Sequence, residues 1–227
     1  MLTDLRQFLE TLLLAAAALL PIVNPLGGAP IYLAKTSELS PEARDALAQR
    51  VAINCFLLLL VSTFIGAYVL DFFGLSIPVV QVAGGAVVCA IAWNLLNEPD
   101  QTPSAAKDAV RAGTPTDLAR RAFYPLTMPL TVGPGSISVA ITLGANQPPS
   151  TRALIVTSLG HIAGILVVVL AVFLCYRYAD RILRRLGDVG TLIVTRMMAF
   201  ILLCIGVQIA WNGIAALLAT LRGASAS

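Results

Sequence analysis

The sequence has little charge. Only 12% of its 227 residues are Asp, Glu, Lys or Arg, and it has one histidine, whereas a soluble domain carries about twice that charged fraction. Hydrophobic residues make up 58% of the chain, and the mean hydropathy is +0.85. This composition excludes an ordinary soluble domain and predicts an all-α polytopic membrane protein, with residues 1–227 forming one membrane domain. The net charge of +3 is too small to indicate a nucleic-acid partner.

Patterns typical of metal sites and catalytic centres are also missing. The four cysteines lie in different apolar segments without a Cys-x-x-Cys pair, and we interpret them as small buried residues without disulfides: Cys55, Cys89, Cys175 and Cys204. The sequence has no His-Glu-x-x-His motif and no paired aspartates in an apolar segment. Ser136 and His161 are poor candidates for a catalytic dyad, because no glycine follows Ser136. We therefore expect no enzyme, no cofactor and no metal.

Acidic residues are absent from the centres of the apolar segments, and Asp71 lies at the end of one. Carboxylates inside the membrane are typical of proton pathways and ion sites. If the protein is a carrier, their absence favours a neutral zwitterion or an anion as the solute.

Six apolar segments are long enough to cross the hydrocarbon core, which takes ~20 helical residues. We place these spans at the following residues: 5–23, 48–70, 77–96, 122–145, 153–176 and 191–218. A broken stretch to residue 34 follows the first span. Asp4 and Glu10 make that span a poor signal peptide. The second helix is predicted to begin with Ser40 as its N-cap and Pro41 as its first residue.

The basic residues are divided unevenly between the two ends of the predicted spans. Eleven follow spans one, three and five: Lys35, Arg44, Arg50, Lys107, Arg111, Arg120, Arg121, Arg177, Arg181, Arg184 and Arg185. The other side has only Arg6, Arg152 and Arg222, and Arg196 lies within the last span. The positive-inside rule places the eleven, and the 97–121 loop, in the cytoplasm. Both termini are therefore expected outside.

Short repeats relate the two halves of the chain. Three pairs of segments match in the same order: Asn24-Pro25 with Gly133-Pro134-Gly135, loosely Ser40-Pro41 with Pro149-Ser150, and Ile91–Asn94 with Ile209–Asn212. These matches predict two repeats of three spans, at residues 5–96 and 122–218. Because three is odd, the second repeat enters the membrane from the opposite side. Inverted repeats of this kind are the plan of many secondary transporters.

The Asn-Pro and Gly-Pro-Gly segments interrupt sequence in which a membrane helix is expected to continue. The residue before a proline avoids the α region, so helices are predicted to end and restart at Pro25 and Pro134, capped by Asn24 and Gly133. A helix N-terminus exposes N–H groups and a positive dipole end, which suit a carboxylate. Within a membrane, such groups are tolerated only inside protein or beside a wet cavity.

The two breaks therefore predict a solute site near the middle of the membrane. Its candidate residues are Asn24, Pro25, Gly27, Gly28, Thr131, Gly133, Pro134, Gly135 and Ser136. The glycines allow a ligand or another backbone to approach closely. The alternative is that these prolines and glycines only kink helices for packing.

Several stretches resemble the MarC family of bacterial inner-membrane proteins. They are Asn24–Gly27 (NPLG), Phe73–Pro78 (FGLSIP), Val82–Gly85 (VAGG), Phe123–Pro129 (FYPLTMP), Val132–Gly135 (VGPG), Arg196–Phe200 (RMMAF), Gly206–Gln208 (GVQ) and Asn212–Ile214 (NGI). The resemblance extends from about residue 12 to residue 217. It implies six spans in a bacterial inner membrane and kinship with carriers of small neutral amino acids such as glycine and alanine. In such a membrane, the outward termini predicted from the basic residues would be periplasmic. The resemblance also implies that the Asn-Pro and Gly-Pro-Gly segments form the central site.

Three further residues are candidates for gating or proton transfer. His161 lies in the fifth span, where an ionisable residue indicates function and a histidine suits a proton relay; the alternative is a neutral histidine bonded to a neighbouring helix. Gln81 stands where related proteins often carry an arginine, and we interpret Arg196 as its partner in the repeat. Arg196 is alternatively a residue that extends to the cytoplasmic surface. Gly84 and Gly85 are interpreted as a close contact between helices.

We therefore expect a secondary transporter of small solutes, with small neutral amino acids as the substrate class that the resemblance implies. His161 leaves proton coupling open. The alternatives are a channel or a membrane protein with a regulatory or structural role. The expected partners are the lipid bilayer and the solute, and nothing in the sequence indicates an oligomeric state.

Overall fold

The computed structural model describes residues 2–97, 120–145, 148 and 150–224. Most of the predicted 97–121 loop, including Lys107 and Arg111, lies outside the described residues, and so does Pro149. Within the described part, the regular elements are all helical. They are α1 (Leu2–Val23), α2 (Pro25–Lys35), α3 (Pro41–Phe72), α4 (Ile77–Asn97), α5 (Ala122–Thr131), α6 (Pro134–Ala145), α7 (Thr151–Arg177) and α8 (Ala179–Ala224).

Five of these helices contain segments long and apolar enough to cross a membrane. These segments are Thr3–Val23, Pro41–Phe72, Ile77–Asn97, Thr151–Arg177 and Val189–Thr220. Between 22% and 33% of each apolar window is buried inside the protein, so most of its side chains face outward, as lipid contact requires. The predicted span at 122–145 is not among the five, because it is divided into α5 and α6.

The first break is a single residue, Asn24, between α1 and α2. Asn24 adopts the left-handed conformation, with φ 46° and ψ 61°. Its side-chain Oδ1 accepts a hydrogen bond from the Gly27 N–H at 3.1 Å, so it caps α2, and Pro25 is the first residue of that helix. Ser40 caps α3 in the same way, because its Oγ accepts from the Ala43 N–H at 3.2 Å. The predicted helix starts at Pro25 and Pro41 are confirmed.

The second break is wider than the sequence predicts. Within α5, Tyr124 and Met128 have extended backbone angles. The hydroxyl groups of Thr127 and Thr131 donate to carbonyls five residues earlier, at 2.6 and 2.7 Å, which is the wide spacing of a π-helical turn. The helix restarts at Pro134, as predicted.

α8 begins well before the predicted span at 191–218. The basic stretch that precedes this span is helical from Ala179 onward. One break interrupts it at Gly187, with φ 67° and ψ 177°, a conformation that a residue with a Cβ rarely adopts. The connection between α7 and the last span is therefore a short basic helix.

α1 and α7 lie side by side and run in the same direction. Near their N-termini, the Gln7 Nε2 donates to the Thr157 Oγ1 at 3.0 Å. Further along, Gly160 faces Thr11 and Gly164 faces Ala15, and a Cβ on either glycine would lie 2.7 Å from the facing side chain. These glycines therefore let the two helices pack closely.

α4 and α8 cross in opposite directions with their backbones in contact. A Cβ on Gly85 would lie 2.5 Å from the Ala210 backbone nitrogen, and one on Gly213 would lie 2.5 Å from the Pro78 carbonyl oxygen. A Cβ on Gly84 would lie 3.0 Å from the Ser138 Cβ on α6. The interpretation of Gly84 and Gly85 as close helix contacts is confirmed.

The two halves of the chain pack in matched pairs. α1 and α2 contact α7, as α5 and α6 contact α3; α2 contacts α8, as α6 contacts α4. The larger buried cluster includes residues from α1, α2, α3, α5 and α7, among them Leu19, Tyr32, Leu59 and Tyr176. This cluster surrounds the first break and the end of α5.

The cysteines depart in one respect from their interpretation as buried residues. All four are free, and Cys55 is buried, but Cys204 is exposed, so that interpretation is wrong for Cys204. Cys204 lies on α8 among outward-facing apolar side chains such as Phe200 and Ile201. A small apolar residue is compatible with a lipid-facing surface as well as with a core.

Candidate functional site

A cavity of about 230 Å³ lies against the first helix break. It is bounded by the end of α1, by α2, and by parts of α4, α5 and α8. Most of its lining is aliphatic, with Ile31, Ile91 and Leu202 as examples, and Asn24 and Thr195 are polar lining residues. The cavity therefore combines a largely apolar wall with a few polar groups, as small-molecule sites do.

Lys35 is the one charged side chain among the described residues that line this cavity. It is the last residue of α2, and Leu95, near the end of α4, lies on the same cavity. Because α2 has 11 residues, the cavity extends about 15 Å along this helix from the break. A positive group at one end and no carboxylate in the described wall favour a solute that is neutral overall or negative.

Asn24 accepts hydrogen bonds from two N–H groups in the first turn of α2. Its side chain accepts from the Gly27 N–H at 3.1 Å, and its carbonyl accepts from the Gly28 N–H at 3.0 Å. A Cβ on Gly27 would collide with the Asn24 side-chain amide. Gly27 is therefore required for the cap, and the cap covers the N–H group that the sequence assigns to a ligand.

Gly28 brings the first break into contact with the second through Tyr176. A Cβ on Gly28 would lie 2.5 Å from the Tyr176 hydroxyl oxygen. That hydroxyl hydrogen-bonds the Thr131 Oγ1 at 2.8 Å, at the end of α5. The fully buried Tyr176 on α7 thus joins two residues that the sequence predicted to share a site.

Tyr176 and Tyr32 were not identified from the sequence. Their rings stack with centroids 4.5 Å apart and an interplanar angle of 13°, and the Tyr32 hydroxyl donates to the Arg44 carbonyl at 2.7 Å. The available signal was a tyrosine within an apolar span, because a buried hydroxyl needs a hydrogen-bond partner. Nothing in the sequence indicated which partner it has.

The Gly-Pro-Gly segment packs against α4 and is not among the described residues that line the cavity. A Cβ on Gly135 would collide with the Val88 Cγ2. Ser136 is 2% exposed, whereas Gly133 and Pro134 are half-buried. Of the predicted site residues, the cavity therefore brings together Asn24, Gly27 and Gly28. Thr131 is linked to Gly28 through the Tyr176 hydroxyl. Gly135 instead packs against Val88.

Comparison with known proteins identifies the family. The model of the MarC family of integral membrane proteins matches residues 9–218, which is most of the chain. The chain belongs to the MarC family. No solved structure matches it significantly.

Its relatives within the MarC family come from bacteria and archaea. The UPF0056 inner membrane protein MarC of Salmonella paratyphi A is 29% identical over 216 residues, covering 91% of this chain and 95% of the relative. A UPF0056 membrane protein of Methanocaldococcus jannaschii is 30% identical over 206 residues, covering 91% and 97%. A third, from Pyrococcus abyssi, is 29% identical over 209 residues, covering 92% and 96%. This chain is therefore an integral membrane protein with full-length relatives.

Gln81 of this MarC-family chain joins α4 to α6. Its Nε2 donates to the Thr142 Oγ1 at 3.0 Å. One helical turn earlier on α6, the Ser138 Oγ is buried and finds no hydrogen-bond partner among the described residues. The structure thus places Gln81 near the start of α4, against α6 about two helical turns beyond the second break, whereas Arg196 lies at the end of α4.

Arg196 caps the end of α4. Its Nη1 donates to the Leu95 carbonyl at 2.7 Å and to the Leu96 carbonyl. The last carbonyls of a helix have no partner in the helix itself, and a cation there also opposes the negative end of the dipole. Thr195, the preceding residue, lines the cavity, so this cap fixes part of the cavity wall.

His161 lies away from the cavity. It is 5% exposed on α7, between Gly160 and Gly164, which face α1. It is not among the described residues that line the cavity. A role of His161 in proton transfer would therefore not involve direct contact with a solute in this cavity.

Proposed function

We propose that this MarC-family protein is a secondary transporter of small solutes, with small neutral amino acids as its substrate class. The observation that carries the proposal is the cavity of about 230 Å³ at the first break, in which Lys35 is the one charged group of the described wall. Sites for drug-sized ligands measure roughly 300–1,000 Å³, so the solute here is small. Aliphatic walls beside Asn24, Thr195 and Lys35 suit a carboxylate with a short apolar side chain. The choice of glycine and alanine rests on the family resemblance.

We also propose six spans arranged as two inverted repeats, with α5 and α6 together forming the fourth span. An inverted repeat requires equivalent helices to run in opposite directions. The antiparallel crossing of α4 and α8 supports this arrangement, and so does the Arg177–Asp45 ion pair of 3.3 Å, which brings the end of α7 beside the start of α3. Trp93 and Trp211 of the two matching tetrapeptides are 60% and 59% exposed. The matched packing of the two halves is further support.

The proposed mechanism is alternating access around the two breaks. A solute carboxylate would take the place of the Asn24 Oδ1 on the Gly27 N–H, because that donor already bonds the side chain. The Gly-Pro-Gly break is packed against Val88 in this conformation. The bridge from Gly28 through Tyr176 to Thr131 would pass movement from one break to the other.

The proposal includes the location and the energy source. The relative from Salmonella is named an inner membrane protein, and we propose the same membrane here, with periplasmic termini. We also propose that uptake is coupled to protons through His161. The proposal assigns the chain no catalytic activity and no cofactor.

Uptake of radiolabelled alanine and glycine into proteoliposomes, with and without an inward proton gradient, tests the proposal. The informative variant is Ala199→Leu, because Ala199 lines the cavity and is 1% exposed, so the added carbons fill it. Ala215→Leu is the matched control on the same helix, at an exposed position. We expect saturable uptake by the parent and the control and a loss of at least tenfold in Ala199→Leu.

Each other outcome has its own meaning. Equal uptake by Ala199→Leu removes the cavity as the solute site. Uptake that does not saturate favours a channel. Absence of uptake by the correctly inserted parent removes the amino-acid assignment, and uptake that is indifferent to the gradient removes proton coupling.

A further inference from the structure

A second cavity, of about 350 Å³, lies at the ends of α3, α7 and α8, apart from the solute cavity. Six charged residues line it: Arg44, Asp45, Arg177, Asp180, Arg181 and Arg184. We call these residues the arginine cluster. It combines four arginines with two aspartates, so its charge is positive.

The two aspartates of the arginine cluster are already paired. Asp45 lies 3.3 Å from Arg177, and Asp180 lies 2.6 Å from Arg184. Arg44 and Arg181 therefore supply the excess positive charge. Arg181 lies over the Tyr178 ring, with its guanidinium carbon 5.4 Å from the ring centroid, which leaves the edge of its guanidinium group able to donate.

Arg44 has a donor without an acceptor. Its Nη2 donates to the Thr36 carbonyl at 3.3 Å, but its Nε is buried and has no hydrogen-bond partner among the described residues. A buried donor of a charged group is costly when it stays unsatisfied. Because Arg44 lines the cavity, an oxyanion there would lie beside its guanidinium group and would offset the cost of this partly buried positive charge.

Two helix N-termini add to the positive potential of the arginine cluster. α3 begins at Pro41, which lines the cavity, and α8 begins at Ala179, between the lining residues Tyr178 and Asp180. The N-terminus of a helix carries about half a positive charge and favours phosphate groups. Arginine guanidinium groups bind phosphate through paired hydrogen bonds.

The arginine cluster also lies at the ends of two candidate spans, Pro41–Phe72 and Thr151–Arg177. That position corresponds to the level of lipid headgroups. Basic pockets between membrane helices bind the headgroups of anionic lipids. The same chemistry would also bind inorganic phosphate from solution.

We propose that the arginine cluster binds a phosphate group, carried by an anionic phospholipid headgroup or by free phosphate. The site is separate from the solute cavity, so it does not depend on the proposed transport function. Arg44 and Arg181 bind the phosphate, and Arg177 and Arg184 hold the two aspartates away from it.

Thermal unfolding of the purified full chain in detergent tests the site. Unfolding midpoints are compared after addition of phosphatidylglycerol, phosphatidylcholine or inorganic phosphate. The test variant is Arg44→Gln/Arg181→Gln. The control is Arg6→Gln/Arg152→Gln, which removes two exposed arginines that pair with Glu10 and Asp4. We expect a saturating phosphate ligand to raise the midpoint of the parent and the control by about 5–10 °C, and that of the test variant by much less.

The ligands separate the two sources of phosphate. A rise with phosphatidylglycerol alone assigns the site to an anionic lipid, and an equal rise with inorganic phosphate assigns it to phosphate in solution. The proposal is overturned if neither ligand raises the midpoint, if phosphatidylcholine raises it equally, or if the test variant responds like the parent. Arg181→Gln alone changes an exposed side chain and repeats the comparison if the double variant does not fold.

Discussion

At the scale of single residues, three glycines of the two breaks each face a particular protein group. Gly27 faces the amide that caps α2, Gly28 faces the Tyr176 hydroxyl, and Gly135 faces the Val88 side chain. The sequence allowed two roles for these glycines, space for a ligand or space for packing. In the described conformation, protein groups take the space beside each of them.

The contact between Gly28 and Tyr176 gives a prediction about stability. In Gly28→Ala, the new methyl group would lie 2.5 Å from the Tyr176 hydroxyl oxygen, and overpacking of this kind costs about 1–3 kcal/mol. Tyr176→Phe removes that oxygen and leaves ring carbons at 3.3 Å. We therefore expect the double variant to lose about 1 kcal/mol less than the sum of the single variants, measured by thermal unfolding.

The control for this pair is Gly190→Ala. A Cβ there would come no closer than 3.3 Å to Leu186, so its effect is expected to be small and additive with Tyr176→Phe. Additivity of Gly28→Ala with Tyr176→Phe would contradict the proposed contact.

Variants at Gly135 distinguish a role in helix packing from a role in ligand binding. Gly135→Ala introduces a methyl group that collides with the Val88 Cγ2, and we expect it to lower both the unfolding temperature and uptake. Val88→Ala removes that Cγ2, so the double variant is expected to regain both properties. Val87→Ala, at an exposed neighbouring position, is the control and should restore neither. If Val88→Ala restores stability but not uptake, Gly135 instead leaves space for the solute.

At the scale of helices, the ends determine the shape of the cavity. α2 starts at the Asn24 cap, and α4 ends where Arg196 binds its last carbonyls. Arg196 thereby ties α4 to α8, two walls of the same cavity. The interpretation of Arg196 as a residue that only extends to the surface does not account for these bonds.

The cap on α4 predicts a local effect of Arg196→Gln. Hydrogen bonds to a charged group contribute about 1.5–3 kcal/mol, so we expect the last turn of α4 to exchange its amide hydrogens about tenfold faster or more. Hydrogen-exchange mass spectrometry of peptides covering residues 90–97 measures this rate. Arg6→Gln, at an exposed position on α1, should leave it unchanged. An unchanged rate in Arg196→Gln would show that these bonds do not hold the end of α4.

The helix starts were predictable because they depend on local chemistry. Asn24, Ser40 and Pro134 set where helices begin through caps and proline geometry. The irregular course of α5 was not predictable, because its wide turns depend on Thr127 and Thr131 donating five residues back. The helix at 179–186 was missed because its arginines suggested a loop, although a short helix with charged side chains is compatible with a membrane surface.

The candidate site was only partly predictable for a similar reason. Asn24, Gly27 and Gly28 were identified because proline and glycine are visible locally. The roles of Tyr176, Lys35 and Arg196 depend on which helices become neighbours, and a sequence without a structure does not provide those pairs.

At the scale of the whole molecule, the two halves of the chain pack in matched helix pairs, but the basic residues are distributed unevenly between the two predicted sides of the membrane. The sequence places eleven basic residues at one predicted side of the spans and three at the other. The arginine cluster and Lys35 both belong to the basic side. The cavity at the first break therefore extends from Asn24 toward the side predicted to face the cytoplasm.

The orientation gives a prediction that reporter fusions check. Alkaline phosphatase is active only outside the cytoplasm, so we expect activity when it is fused after Ala224 and none when it is fused after residue 107 in the loop. A fluorescent protein that matures only in the cytoplasm should give the reverse pattern. Fluorescence from the fusion after Ala224 would contradict periplasmic termini and would reverse the side toward which the cavity extends.

The crossing of α4 and α8 has a mechanical consequence. Gly85, Gly206 and Gly213 bring the two backbones so close that there is no room for a side chain at these three positions. Interdigitated side chains must separate before two packed helices rotate against each other, whereas contacting glycines present no side chains to separate. These glycines therefore lower the steric resistance to rotation of α4 against α8 at this crossing.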